Sequence, residues 1–547
     1  MGGLGKTTLA NRVFDNQRVK TYFQSHVWIT VSQSYEVEDI LRDMIEQLHG
    51  EIEQPTPQGM ESVNSMRLKQ IVKGFLQQKR YVIVLDDVWN SKALEEGFVE
   101  KREGMTQEEV GQRYLKELIN RSLVQIAKTT IDGRLESCRV HDLMHECILS
   151  KARDENFVSF ASEQKVELHE RVRRLSIAYT YNNSLKQLNL PTLHSLLIFE
   201  SATSSSLDEQ FVPSGCRLLR VLDLGDSPLH KFPQQILVIF HLKYLSLRRT
   251  KVRIIPRSIG KLQNLETLDL KQTLVSKLPV EVTKLKKLQY LLVYSYVAFT
   301  PSRPFRSITG FLAPQGIGTL VSLQKLCYVK AGGHRNKNAM QELGELCQLR
   351  RLGVMDLKKD DAKELCHSLT KMTDLRSLEV VAESEYEVID LDFLSSPTQL
   401  LQRLYIKGCL KKLPHWLPLL NNLTNVRLKL SRLKSSPLVA FQNLPNLVEL
   451  LLDNAFDGEK LVFGDRGFPK LKELRLLDLQ NLRFVLMNGQ AMPCLQSLSI
   501  YRCRCFYVFA EVQKRKKLRK LWISACAAVH NSRSLEFLCV FRRINLG

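Results

Sequence analysis

Seven residues near the start of the chain, Gly2-Gly3-Leu4-Gly5-Lys6-Thr7-Thr8, have the types and spacing that close a backbone around phosphate. Glycines let successive N–H groups point at phosphate oxygens, a lysine reaches the terminal phosphates, and a hydroxyl joins the shell of a Mg²⁺ ion. Gly2, Gly3, Gly5, Lys6, Thr7 and Thr8 are the candidate nucleotide-binding set, and Thr7 is also a candidate magnesium ligand. A second group supplies carboxylates: the apolar run Tyr81-Val82-Ile83-Val84-Leu85 ends in Asp86-Asp87. Two acids at a strand end suit phosphoryl chemistry, with Asp86 holding Mg²⁺ through water and Asp87 orienting the attacking water. An ordinary strand-end turn is the bland alternative for the two acids, and the phosphate loop upstream weighs against it.

These groups need elements to hold them. Leu9-Ala10-Asn11-Arg12-Val13-Phe14 has helix-like apolar spacing, as a phosphate loop that opens a helix requires. Strands are expected near His26–Ser32 and Tyr81–Leu85, as members of a parallel sheet. Farther on, Thr106 three residues before Glu109 fits a capping box, and Val110, Tyr114 and Leu118 recur every four residues on one helical face.

Beyond about Arg171 the chain repeats itself. Leu219-Arg220-Val221-Leu222-Asp223-Leu224 returns as Leu242 to Leu247, Leu265 to Leu270 and Leu288 to Val293, with Leu222, Leu245, Leu268 and Leu291 each 23 residues apart. The same position passes to Leu326, Leu352, Leu378 and Leu404, then to Val426, Leu450, Leu474, Leu498 and Leu521, and backwards to Leu196 and Leu175. About fifteen units of this period predict a leucine-rich-repeat solenoid, because one unit cannot bury its apolar face alone and stacking joins the faces into one core. Pro256 and Pro279 fall in return segments, where a missing backbone donor is tolerated. Side chains between the leucines are expected to point outward, among them Asp223, Ser246, Asp269, Glu379, Tyr405, Arg427, Arg475 and Trp522. Their chemistry changes from repeat to repeat, as a binding face needs. The irregular insertion Ser295–Gly316 is a further expected contact loop.

Bulk properties narrow the classes. The 547 residues exceed one compact core, and 44% hydrophobic with 25% charged residues is the balance of a folded soluble protein. No apolar run long enough for a transmembrane helix occurs, and the first residues lack a signal-peptide core. Twelve scattered cysteines without metal-ligand spacing read as reduced, buried thiols of a cytosolic protein. The net charge of +22 is uneven: residues 1–150 carry 19 Lys and Arg against 22 Asp and Glu, and the remainder 60 against 35. A basic repeat region favours an acidic protein surface as partner. Nucleic acid is disfavoured, because the Lys and Arg lack interleaved aromatics and any nucleic-acid-binding module.

The order Gly-Gly-Leu-Gly-Lys-Thr-Thr at residues 2–8, Val27-Trp28-Ile29-Thr30-Val31-Ser32, then Leu85-Asp86-Asp87-Val88-Trp89 resembles the NB-ARC domain of plant NB-LRR immune receptors, coiled-coil subclass. Glu96-Gly97-Phe98-Val99 and Thr106–Val124 are similar to that family's winged-helix subdomain, and Val140-His141-Asp142-Leu143-Met144 to its Met-His-Asp motif, with Val140 in place of the methionine. By itself, His141 would be read as a buried structural histidine. The resemblance covers nearly the whole chain. It implies an α/β protein with a partial phosphate-loop NTPase domain over 1–92, a winged-helix-like segment over 93–170 and the repeats over 171–547. It also implies a cytoplasmic receptor that holds ADP at rest, exchanges it for ATP with Mg²⁺ on pathogen detection, and triggers defence signalling. By position, Lys6 and Thr7 would contact phosphate and Mg²⁺, Asp86 and Asp87 would serve the Walker B roles, and His141 would contact the ADP β-phosphate. Partners would be a pathogen effector or guarded host protein on the repeats, and the nucleotide-binding domain within the same chain.

Two departures from the family pattern bear on the switch. The first glycine of the phosphate loop and the strand that delivers it would precede Met1, and only Asn90–Glu95 separates Trp89 from the winged-helix-like segment. Later sheet strands, a sensor arginine, a Gly-Leu-Pro-Leu motif and a helical subdomain are expected in that gap. A truncated or internally deleted chain follows as an expectation, with nucleotide binding weakened. The functions in competition are a nucleotide-dependent immune receptor, a repeat module with a vestigial nucleotide site, and an ATPase whose turnover is its purpose. The third is disfavoured, since slow hydrolysis within a switch is the most that a phosphate loop and two acids supply.

Overall fold

The computed structural model describes residues 14–30, 37–50, 65–77, 80–86, 107–130, 135–140, 142–154, 159–161, 172–178, 189–199, 215–296, 308–332, 338–395, 398–488, 490–503, 507–508, 520–525 and 544–545. Two compact units divide the chain, Met1–Lys128 with Leu135–Ser150, and Thr129–Arg134 with Lys151–Gly547.

In the first unit the strands Ser25–Thr30 and Tyr81–Asp86 pair in parallel, from Ser25 opposite Tyr81 to Thr30 opposite Asp86. Helices Val37–Gly50 and Ser65–Leu76 lie between them in sequence. Leu41, Met44, Ile45 and Leu48 fall at spacings of three and four, as do Leu68, Ile71, Val72 and Phe75, so each helix has one apolar stripe. Those stripes meet: Ile45, Leu68 and Val72 form one buried cluster, and Leu48 packs on Val27 of the sheet. The same unit carries helix Gln107–Asn120, the two-stranded sheet of Val124–Thr129 and Leu135–Val140, and the start of helix Asp142–Asp154. Val110 is buried as its spacing predicts, whereas Leu118, expected on the same face, is 40% exposed near the helix end.

The second unit is a continuous parallel ladder. Leu175, Leu196, Leu222, Leu245, Leu268, Leu291 and Leu326 are paired in register, one strand to the next. The line continues through Leu352, Leu378, Leu404, Val426, Leu450, Leu474, Leu498 and Leu521. One further strand, Ser159–Ala161, pairs with Arg174–Ala178 ahead of the first counted repeat. Inward leucines form one apolar core from Val172 to Cys503, each contributing about 1.5–3 kcal/mol by burial. Polar side chains close the turns at the same period: the Ser227, Thr250 and Thr273 hydroxyls each donate to the carbonyl three residues back. Pro233, Pro256 and Pro279 each precede a short 3-10 helix, with φ between −69° and −73°. There the missing N–H costs nothing and the ring presets the entry angle.

Several expectations are revised. Ser246 and Asp269 are buried rather than displayed. Asp269 accepts the Lys271 N–H at 3.0 Å and pairs with the Lys271 ammonium at 3.0 Å, and Asp223 accepts the Gly225 N–H at 2.9 Å. These acids serve their own turns. Asp223, Glu379, Tyr405, Arg427 and Arg475 do stand half-exposed on the sheet. The strand of Trp522 is in place, but its side chain lies outside the described residues. Of the described cysteines, Cys216, Cys327, Cys366 and Cys503 are buried free thiols, while Cys138, Cys147 and Cys347 are exposed. Among the described residues there is no metal-ligand cluster and no helix long and apolar enough to cross a membrane.

Candidate functional site

Of the residues expected to handle nucleotide, the structure describes one backbone. Asp86 ends the strand Tyr81–Asp86 opposite Thr30, at the carboxyl edge of a parallel pair, which is where open α/β sheets bind ligands. Gly2, Gly3, Gly5, Lys6, Thr7, Thr8, Asp87 and His141, and the side chain of Asp86, lie outside the described residues. Val140 ends its strand and Asp142 opens the next helix, so His141 is flanked by a strand end and a helix start.

The repeat sheet carries a described site. Between Leu326 and Val329, and again between Val354 and Leu357, the parallel register slips by a bulge. Tyr328 and Asp356 sit within these bulges at φ 58° and 54°, a left-handed conformation that costs a residue with Cβ about 1–3 kcal/mol and is held only where surrounding contacts over-determine it. Gly353, on the next strand, makes room: a Cβ there would lie 2.9 Å from the Tyr328 backbone nitrogen. Above that gap the Tyr328 hydroxyl donates to Glu379 Oε2 at 2.8 Å. The Tyr294 ring meets the Tyr328 and Tyr296 rings edge-on, with centroids 5.0 and 5.6 Å apart. Tyr296 comes from the insertion, whose strand Ser295–Tyr296 pairs antiparallel with Ile308–Thr309.

Around these residues lies a cavity of about 270 Å³, lined among others by Tyr296, Tyr328, Arg351, Glu379, Tyr405 and Lys407. Its electrostatics follow from burial. Desolvation pushes the Glu379 carboxyl up, against the opposing pull of the Tyr328 hydrogen bond and of Arg351. Burial also pushes the Tyr328 phenol far up, and Glu379 adds to it, so this phenol stays a donor. Lys407 is pulled down by burial and then by Lys429 beside it. For Arg351, burial opposes the charge, but Cys327 and Glu379 outweigh it and hold the guanidinium above its ordinary value.

On the adjoining strands the charges are locked in pairs. Arg427 grips Glu449 with Nε at 2.9 Å and Nη2 at 3.2 Å, Asn425 donates to the same carboxylate at 2.8 Å, and the guanidinium lies 4.8 Å from the Tyr405 ring centroid. Lys429 pairs with Asp453 at 3.3 Å, and Arg475 with Glu473 at 2.6 Å. The expected outward residues Glu379, Tyr405 and Arg427 are thus brought together with the insertion. Tyr328, Arg351 and Lys407 escaped sequence reasoning. Gly353 in an outward position of an otherwise regular strand was the available signal.

A match to the leucine-rich repeat region model over residues 192–542, well over half the chain, makes this a leucine-rich-repeat protein. The NB-ARC domain model matches residues 1–109 and the disease resistance protein winged helix domain model residues 93–148. Disease resistance protein RPM1 of Arabidopsis thaliana is 27% identical over 672 residues, covering 92% of this chain and 71% of that protein. Probable disease resistance protein RF45 of the same plant is 29% identical over 436 residues, covering 75% of this chain and 40% of its own length. Disease resistance protein PIK6-NP of Oryza sativa subsp. japonica is 29% identical, covering 74% and 43%. A solved leucine-rich-repeat protein of Leptospira interrogans superposes at a TM-score of 0.44 with 20% identity, covering 68% of this chain and 92% of that one. The chain belongs to the plant NB-LRR disease-resistance proteins, with a nucleotide-binding NB-ARC domain, a winged helix and leucine-rich repeats in that order. It spans less than half the length of RF45 and PIK6-NP.

Proposed function

We propose that the chain is an intracellular, cytoplasmic immune receptor in which an ADP/ATP-dependent switch answers to a protein, a pathogen effector or a guarded host protein, recognised by the repeats. The order of the three matched domains carries this reading. Lys6, with Gly2, Gly3, Gly5 and Thr8, would hold the phosphates, Thr7 and Asp86 the Mg²⁺, Asp87 the hydrolytic water, and His141 the ADP β-phosphate. The backbone of Asp86 at the carboxyl end of a parallel strand supports its part as a Mg²⁺ carboxylate. Turnover is slow and belongs to the switch. The basic repeat region would also rest against the chain's own nucleotide-binding domain. Boundaries near 92 and 170 are proposed for the three domains.

A second reading, a repeat module whose nucleotide site is vestigial, has its own support. The NB-ARC match overlaps the winged helix, and the alignment with RPM1 runs over 672 residues while using 92% of a 547-residue chain. Much of the relative therefore has no counterpart inside this one. The described residues pair only two parallel strands in this unit, a small platform for phosphates where no further strand joins them, and impaired nucleotide binding is the outcome this reading expects. Isothermal titration of the full chain with ADP tests it: micromolar or tighter binding, abolished by Lys6→Ala, overturns the impairment and restores the complete switch.

A further inference from the structure

From Lys231 to Tyr290 the chain carries 13 Lys and Arg against 3 Asp and Glu. Two of those acids are held beside the sheet, Glu266 by Lys243 at 2.8 Å and Asp269 by Lys271 at 3.0 Å. Glu281 is the third. Six of the cations, Lys251, Arg253, Arg257, Lys261, Lys277 and Lys284, stand exposed on the return segments that follow each strand. Among the described residues their charged groups make no hydrogen bond and no ion pair.

Apolar side chains are interleaved with them. The pairing of Leu245 with Leu268 sets a step of 23 residues from one repeat to the next. That step places Lys251 beside Leu274, Ile254 beside Lys277, Arg257 beside Val280, and Val238 beside Lys261. Backbone bonds carry it into the return segments, where the Lys251 N–H donates to the Leu229 carbonyl at 2.8 Å and the Leu274 N–H to that of Val252 at 3.0 Å. The short helices Arg257–Lys261 and Val280–Lys284 stack so closely that a Cβ on Gly260 would lie 2.8 Å from the Glu281 carbonyl oxygen. Ile254 is 74% exposed, Val238 66%, Val280 57% and Leu274 48%, so the apolar members face water as the cations do. A single exposed aliphatic needs no explanation. Four of them, each beside an unpaired cation at the matching position of the adjoining repeat, have the composition of an interfacial surface.

The chemistry of the partner follows from both halves of the pattern. Nucleic acid supplies phosphates, but these positions hold no aromatic side chain on which a base could stack. An acidic protein supplies carboxylates, yet it must also offer a separate apolar pocket for each aliphatic tip at the right spacing. An anionic bilayer supplies negative charge in every lateral direction and hydrocarbon just beneath it, so no register has to be matched. Lysine and arginine stems extend their charges to the headgroups while the shorter aliphatics reach below them. We infer that this surface docks peripherally on an anionic lipid bilayer, with Ile254 and Val280 entering the headgroup layer and the six cations resting on lipid phosphates and carboxylates. The inference goes beyond the receptor reading and does not depend on the nucleotide site.

Co-sedimentation of the full chain with vesicles tests it, comparing phosphatidylcholine alone with equal parts of phosphatidylcholine and phosphatidylserine. Binding to the anionic vesicles is expected to be about tenfold tighter or more, and to weaken as salt is added. Lys261→Gln combined with Lys284→Gln should lower it about twentyfold. Ile254→Ser combined with Val280→Ser should lower it about fivefold or more. Lys460→Gln removes an exposed cation from a strand outside this surface and should change nothing. Glu281→Gln removes the one acid on these segments and should tighten binding about fivefold, a gain that misfolding cannot imitate. Equal binding to both vesicles, undiminished binding in either double variant, an equal loss in Lys460→Gln, or no gain in Glu281→Gln would overturn the assignment. Release from the vesicles by soluble polyglutamate at an equal concentration of negative charge would overturn it too, since the surface would then serve an acidic protein.

Discussion

Tyr328 reaches across an entire strand to Glu379: its hydroxyl donates to Oε2 at 2.8 Å, although 51 residues separate the two in sequence. The intervening strand contributes Gly353, whose missing side chain lets the Tyr328 backbone approach closely. Three repeats thereby share one hydrogen bond on the exposed face of a fold whose interior contacts are apolar. The Tyr328 backbone is left-handed, as other repeat positions such as Asp226, Arg249 and Gln272 also are, and the Glu379 carboxyl is raised by burial.

Glu379→Gln should change how stability depends on pH. An unfolded glutamate ionises near pH ~4.3, and the folded group ionises above that because of burial. Within that window the folded state keeps the proton and the unfolded state has lost it. Stability from this group is therefore greatest below the unfolded value and falls as pH rises through the folded one. Glutamine still accepts the Tyr328 hydrogen bond and carries no charge. The expected outcome is a melting temperature that gains on the parent as pH rises from about 4 to about 8. A difference between the two proteins that stays flat over that range contradicts the assignment.

Gly353 and Gly310 are expected to resist alanine for one shared reason. A Cβ at Gly353 meets the Tyr328 nitrogen at 2.9 Å, and one at Gly310 meets the Tyr328 oxygen at 1.9 Å. Both obstacles are backbone, so rotamer changes cannot relieve them. Each substitution should cost about 1–3 kcal/mol by overpacking, with Gly310→Ala the worse. Far-UV circular dichroism melts decide, and Gly332→Ala, where nothing lies within 4 Å, is the control.

The ion pair Arg427–Glu449 should be worth far more than its neighbours on the surface. Glu449 has 5% of its side chain exposed and Arg427 39%, and the contact is bidentate. Removing one member of a buried pair costs about 3–5 kcal/mol; because the guanidinium is partly wet, Glu449→Ala is placed at about 2–3 kcal/mol. Glu345→Ala, which breaks the exposed pair with Lys371, should stay within about 0.5 kcal/mol. Urea titrations that find the two equal would show that solvent screens Glu449 after all.

The sequence reading was strongest where one physical cause repeats. Leu222, Leu245 and Leu268 at a constant interval can be buried in only one way, and the ladder follows that interval strand by strand. Asp86 was legible because an apolar run ending in acids makes a strand with a charged carboxyl end. Asp269 misled, since an acid two residues before a free N–H can close its own turn or face a partner, and only the fold tells which. Tyr328 could not have been found this way. Its orientation comes from a bulge at φ 58° that depends on Gly353 one repeat later, a cause spread over three strands.

Leu268→Ala tests whether the repeats are as one-dimensional as their contacts. Leu268 is fully buried and flanked in register by Leu245 and Leu291. Truncation leaves a cavity that regular neighbours fill poorly, and about 2–5 kcal/mol should be lost. In a stacked array each unit touches only its neighbours, so the loss should stay near its source. Hydrogen exchange read by mass spectrometry is expected to show faster opening in the strands Tyr244–Ser246, Thr267–Asp269 and Tyr290–Leu292. Glu449–Asp453, seven strands farther along, should exchange as before. Equal acceleration at Glu449–Asp453 would mean that the ladder unfolds as one cooperative block, and local repair of a damaged repeat would then be impossible.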